Sequence, residues 1–98
     1  MTVTTELVET AKMARRITTD AYDFEVTRLL NAALLDLGVA GVVLPEEADA
    51  LVEQAAITYF LLHFGTPEDP ERLLASYEAQ KGQLAMCTGY TDWSVVKS

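Results

Sequence analysis

The sequence contains one cysteine, Cys87, and one histidine, His63, among its 98 residues. A single thiol cannot close an internal disulfide, so the fold makes no demand on an oxidising compartment. Zinc sites take three or four Cys, His or carboxylate ligands, and two soft ligands fall short of that pattern, so no metal and no cofactor is expected. Basic residues are scarce too. Seven Lys and Arg stand against fifteen Asp and Glu, a formal charge of −8, and the pI is near 4.4. That balance repels phosphate backbones and anionic lipid, which disfavours a free-standing nucleic-acid reader or a membrane-surface protein. No apolar run approaches the ~20 residues that span a bilayer; the longest are residues 39–44 and 55–62. The opening Met-Thr-Val-Thr-Thr-Glu has neither the basic nor the apolar region of a secretory signal, so a cytosolic location is the default expectation.

Apolar residues, by contrast, make up 50% of the chain, which argues for a packed core and against intrinsic disorder. A chain of this length forms one domain and buries only about 60–65% of its unfolded surface. The apolar surplus is therefore expected at a subunit interface.

Periodicity divides the chain into four helices. Leu7, Val8, Ala11, Ala14 and Ile17 recur at helical spacing over residues 4–17, with Thr4 or Thr5 as cap and acids before bases along the segment. Thr18, Thr19 and Asp20 are expected to break this helix. A second helix is expected from Ala21 or Asp23 to Leu37, capped by Thr19 or Asp20. Its apolar face is Tyr22, Val26, Leu29, Leu30, Ala33, Leu34 and Leu37, and Gly38 is placed to terminate it. Residues 39–44 read as an extended, partly buried connector. Pro45 suits the first position of a third helix whose residues 48–64 are apolar nearly all round, which implies burial on every side. Gly65 ends it. Thr66 with Asp69, or Asp69 with Pro70, starts a fourth helix carrying Leu73, Leu74, Tyr77 and Leu84 and ending near Met86. The expected architecture is all-α: a compact bundle of about four helices in residues 1–88, followed by a non-helical tail in residues 89–98 that contains the only tryptophan, Trp93.

Catalytic patterns are missing. His63 sits late in the most apolar helix with no Ser or Cys close by in sequence, so it reads as a core or interface histidine. Cys87 reads as a small buried hydrophobe. Gly38-Val-Ala-Gly41 has neither dinucleotide-binding nor P-loop spacing. The pairs Glu46-Glu47 and Glu68-Asp69 stand at helix starts, where the helix dipole accounts for them. No calcium loop is present. A helix-turn-helix reading of the last two helices fails because Arg72 and Lys81 are outnumbered by Glu68, Asp69, Glu71 and Glu78. No enzymatic activity is expected.

Charge placement is more informative. From Asp36 to Glu71 there are eight acids and no Lys or Arg, while Lys12, Arg15 and Arg16 cluster on the first helix and Arg28 follows. The plain reading is ordinary dipole compensation plus solvated faces. A sharper reading is a contact in which the basic patch of one subunit meets the acidic stretch of the next.

Three stretches resemble a known family. The first spans residues 11–33, where Arg16-Ile-Thr gives way to an acidic turn and then Asp23-Phe-Glu-Val, Leu29-Leu30 and Ala32-Ala33. The second is Asp36-Leu-Gly-Val-Ala-Gly41. The third spans residues 51–90, with Gln54-Ala-Ala-Ile-Thr-Tyr-Phe, His63-Phe-Gly65, a Pro/Asp turn, Ser76-Tyr77, Lys81 and Cys87-Thr-Gly-Tyr90. Together they cover about three quarters of the chain, and their order and spacing resemble the small head–tail connector, or head-completion adaptor, proteins of tailed bacteriophages.

The resemblance implies a mostly helical subunit of a homo-oligomeric ring beneath the portal protein. That ring extends the DNA channel and presents a platform for the next head-completion or tail protein. DNA is then cargo only, no membrane is involved, and the protein belongs to the virion after assembly in the host cytoplasm. On this reading Tyr90, Trp93, Val95 and Val96 are candidates for portal docking. Lys12, Arg15, Arg16, Arg28, Phe60 and Phe64 are candidates for the subunit interface, and Glu46, Glu47, Asp49 and Glu53 for an acidic channel face that keeps DNA from adhering. The rival expectation is a small acidic α-helical regulatory or adaptor module acting as a dimer.

Overall fold

A computed structural model describes residues 1–46 and 49–86. Four helices follow one another: α1 (Thr5–Ala14), α2 (Asp23–Val39), α3 (Ala50–His63) and α4 (Pro70–Met86). No strand occurs among the described residues, and the class is all-α, as the periodicity indicates. Cys87, Glu47 and the tail residues Tyr90, Trp93, Val95 and Val96 lie outside the described residues.

Local chemistry sets most of the helix ends. The Thr4 hydroxyl accepts from the Leu7 amide at 3.1 Å and starts α1. Asp69 accepts from the Arg72 amide at 3.2 Å and starts α4, with Pro70 in the first helical position. The third helix begins later than its sequence suggests. Asp49 rather than Pro45 opens it, its carboxylate accepting from the Leu51 and Val52 amides at 3.0 and 3.1 Å. A side-chain acceptor satisfies two orphan amides, whereas proline only tolerates the position. For α2 no side chain caps the start; Tyr22 holds that position, and neither Thr19 nor Asp20 acts as cap.

Two helices stop in the same left-handed motif. In α1 the Ile17 amide reaches back to the Lys12 carbonyl at 2.8 Å and the Arg16 amide to Met13 at 3.1 Å, with Arg16 at φ +60°. That closure ends α1 at Ala14, short of residue 17. In α2 the Val42 amide reaches Leu37 at 3.0 Å and the Gly41 amide reaches Gly38 at 3.1 Å, with Gly41 at φ +99°. Gly38 therefore lies inside the helix, and Gly41 is the terminator. The selecting force is packing: ending at Gly41 brings Val42 back into the core, where it is 4% exposed. Val39 is thus helical rather than part of the connector.

The third helix packs against each of the other three. Its Val52, Ala55, Ala56 and Phe60 are wholly buried, facing Leu30, Ala33 and Leu37 of α2, Leu7 and Ala11 of α1, and Tyr77 and Leu84 of α4 within one core cluster. Ala11, Ala33, Ala55 and Ala56 are all buried in this cluster, and small side chains of this kind let helix axes approach. Thr58, the one buried hydroxyl of α3, donates to the Gln54 carbonyl at 3.0 Å and so costs little to bury. Coverage is incomplete, however: Leu51 and His63 are exposed at its two ends.

Candidate functional site

Two polar clusters fasten the bundle from within. At the first, the Lys12 ammonium is 2.8 Å from Asp23, 3.0 Å from Asp20 and 3.8 Å from Glu9, with the side chain almost fully covered. Hydrogen bonds to Asp23 and then Asp20 hold its pKa above the ordinary lysine range. This residue ties the α1–α2 turn to α1. It is therefore not part of an exposed basic patch, and the subunit-interface expectation for it is corrected: its charge is neutralised inside the protomer.

At the second cluster, Asp36 of α2 accepts from the Tyr77 hydroxyl at 2.5 Å and from Lys81 at 3.2 Å, both on α4. Lys81 also pairs with Glu78 at 3.3 Å. The Tyr77 bond, with help from Lys81, lowers the Asp36 pKa against the opposing effect of burial. Burial, reinforced by the Asp36 charge, pushes the Tyr77 hydroxyl well above its usual range. For Lys81, burial alone would lower the pKa, but the bonds to Asp36 and Glu78 outweigh it and raise the value. The Tyr59 ring stands 5.3 Å from Tyr77 and 4.2 Å from His63. Each group is thus driven toward the protonation state it already holds at neutral pH. The arrangement clamps α4 onto α2 across α3; a poised acid or base would need the opposite shifts.

The remaining interface expectations divide. Phe60 is at 0% exposure in the centre of the core, so it is corrected from interface to core. Phe64 is half-buried, 5.0 Å from the Phe60 ring and 5.7 Å from Tyr22. Arg15 rests on Phe64, its guanidinium carbon 5.7 Å from the ring centroid. Arg16 and Arg28 are exposed. His63 is exposed at the end of α3 rather than a core residue, its ring against Tyr59. Among the acids, Glu46 is exposed, Asp49 is engaged as the α3 cap and Glu53 is half-buried one turn further on.

The surface feature that sequence reasoning missed is the outer side of α2. Phe24, Leu35 and Val39 are 83%, 73% and 87% exposed. At about 100° per residue they fall within about 60° of one another, roughly opposite Val26, Leu30, Ala33 and Leu37. Arg28 and Asn31 share that face and are exposed. The signal was available: all three apolar residues lie off the stripe that predicts the core, yet are too large to be indifferent to water.

Among the described residues no group of three or more His, Cys, Asp or Glu is placed to hold a metal ion, and no helix is long and apolar enough to cross a membrane. Compared with protein-family models, curated proteins and solved structures, the chain matches none of them.

Proposed function

We propose that the protein is a self-assembling structural subunit: a head–tail connector of a tailed bacteriophage that forms a ring under the portal, extends the DNA channel and seats the next head-completion or tail protein. The observation that carries this reading is the outer face of α2. Three large apolar side chains stand in water there, on a helix whose opposite face is fully committed to the core. Covering such a face is the ordinary way a protein places apolar surface that its own fold cannot bury. The resemblance in residues 11–33, 36–41 and 51–90 supplies the class of assembly. The net charge of −8 suits a wall past which DNA must slide without adhering.

Light scattering behind a sizing column, across concentration, tests the proposal. A discrete species of many subunits, reduced by Leu35→Lys or Val39→Lys in a chain that keeps its helical signal, is the expected result. A dimer that never grows points instead to the acidic regulatory module. If the wild-type chain neither assembles nor is captured by portal-bearing heads, the connector reading is wrong. Portal docking through Tyr90, Trp93, Val95 and Val96 is checked separately, by truncation after Gly89: a folded chain that no longer attaches to heads is expected.

A further inference from the structure

The outer face of α2 has a counterpart elsewhere on the same protomer. On α2 itself, Phe24 is the one aromatic residue among those described without another ring beside it. Its side chain stands almost wholly in water. Arg28 lies one turn further along the same face, exposed, and makes no ion pair among the described residues.

The counterpart is an open groove of about 320 Å³ between the end of α3 and the start of α4. Leu62, Pro70, Leu74 and the His63 ring line it, and Glu71 is its single acid. Leu74 is left exposed there. Arg72 next in the chain is paired with Asp69 at 3.4 Å, whereas Glu71 makes no ion pair among the described residues. Both surfaces therefore carry a large apolar side chain and a charge one helical turn apart, with charges of opposite sign: Phe24 and Arg28 on α2, Leu74 and Glu71 on α4. Size agrees as well. An apolar cavity of about 150 Å³ holds a benzene ring, so the groove has room for the Phe24 phenyl together with the aliphatic stem of Arg28.

The outer face of α2 points away from α3, while the groove is built by α3 and α4 alone, so a protomer cannot seat its own Phe24 there. A contact joining two unlike surfaces is heterologous, the type that closes a ring when the rotation allows.

We infer that the α3–α4 groove of one copy receives the Phe24–Arg28 turn of the next, with the phenyl ring against Leu62 and Leu74 and the guanidinium on Glu71. Aromatic and arginine side chains are the usual anchors of such contacts. The inference rests on the reading of the chain as a self-assembling subunit, and it names the surface that covers the outer face of α2.

The test uses the full-length chain and sizes its assemblies by light scattering. Phe24→Ala leaves the core untouched, so this variant melts like the wild type yet self-associates on the order of tenfold more weakly. Leu74→Gln, on the opposite surface, weakens association in the same way. Arg28→Glu and Glu71→Arg each weaken it alone by setting like charges against each other. Mixed in equal amounts they assemble again, alternating, because each reversed face then meets a reversed groove, and the unreversed face meets the unreversed groove. The inference is overturned if Phe24→Ala assembles like the wild type, or if the two charge reversals fail to complement. A dimer that is lost with Phe24→Ala but indifferent to Leu74→Gln and Glu71→Arg shows two α2 faces meeting each other, and overturns the groove. A wild-type chain that stays monomeric but is captured by portal-bearing heads discards this contact and keeps the connector reading; failure of capture as well discards both.

Discussion

Replacing Tyr77 with phenylalanine removes one hydroxyl and nothing else from the link between α2 and α4. The lost bond is a 2.5 Å donation to Asp36, whose carboxylate is held ionised by that bond and by Lys81. Hydrogen bonds to charged groups contribute about 1.5–3 kcal/mol. Asp36 keeps Lys81 at 3.2 Å, and its side chain remains 37% exposed, so water can take the vacated position. The low end, about 1.5 kcal/mol, is therefore expected. For a domain of this size that corresponds to a fall in melting temperature of about 6–12 °C.

The pH dependence carries an independent sign. Asp36 has a depressed folded pKa, so its contribution is present above the unfolded value of about 4 and is lost as pH falls through the folded one. Tyr77 has a raised folded pKa, so its contribution is present below about 10 and is lost as pH climbs toward the folded value. Circular-dichroism melts at pH 3, 7 and 10.5 should show Tyr77→Phe losing most at pH 7, with a smaller deficit against the wild type at both extremes. A variant that melts within about 2 °C of the wild type at pH 7 would refute the clamp; equal destabilisation at all three pH values would refute its electrostatic origin.

Two further substitutions test the packing and the chain reversal after α2. Gly38→Ala, inside the helix with no atom within 4 Å of the added Cβ, should stabilise by about 0.5–1 kcal/mol. Gly41→Ala, at φ +99°, should destabilise by about 1–2 kcal/mol; urea titrations that rank the two the other way would place the terminator at Gly38. Phe60→Ala should cost about 3–5 kcal/mol and reduce the folded fraction of the protomer itself. A stable Phe60→Ala protomer with impaired assembly would return this residue to the interface.

Local signals explain what was legible in advance. Apolar residues three and four apart announce a helix whatever lies beyond it, because the buried stripe follows from the helical repeat. Thr4 and the Asp69-Pro70 pair announce helix starts because the capping groups are sequence neighbours of the amides they satisfy. Four helices and the all-α class follow from such signals.

The choice between Gly38 and Gly41 is of another kind. Both sit at permissible ends of α2, and what decides is whether Val42 returns to the core, which depends on helices remote in sequence. The same holds for the charges. Lys12 is an exposed base by composition, and becomes a covered, paired one only because the turn into α2 brings Asp20 and Asp23 to its ammonium. Asp36 belongs to an acidic run by sequence, and to a clamp only because α3 sets α4 beside α2, bringing it to Tyr77 across 41 positions. Likewise Phe24, Leu35 and Val39 are ordinary helix residues until the position of the core shows which way they face. Helix formation is governed by neighbours within a few residues, and the sequence by itself therefore determined the elements. Burial, charge pairing and the surplus apolar face depend on contacts between elements, so they were decided only when the bundle closed.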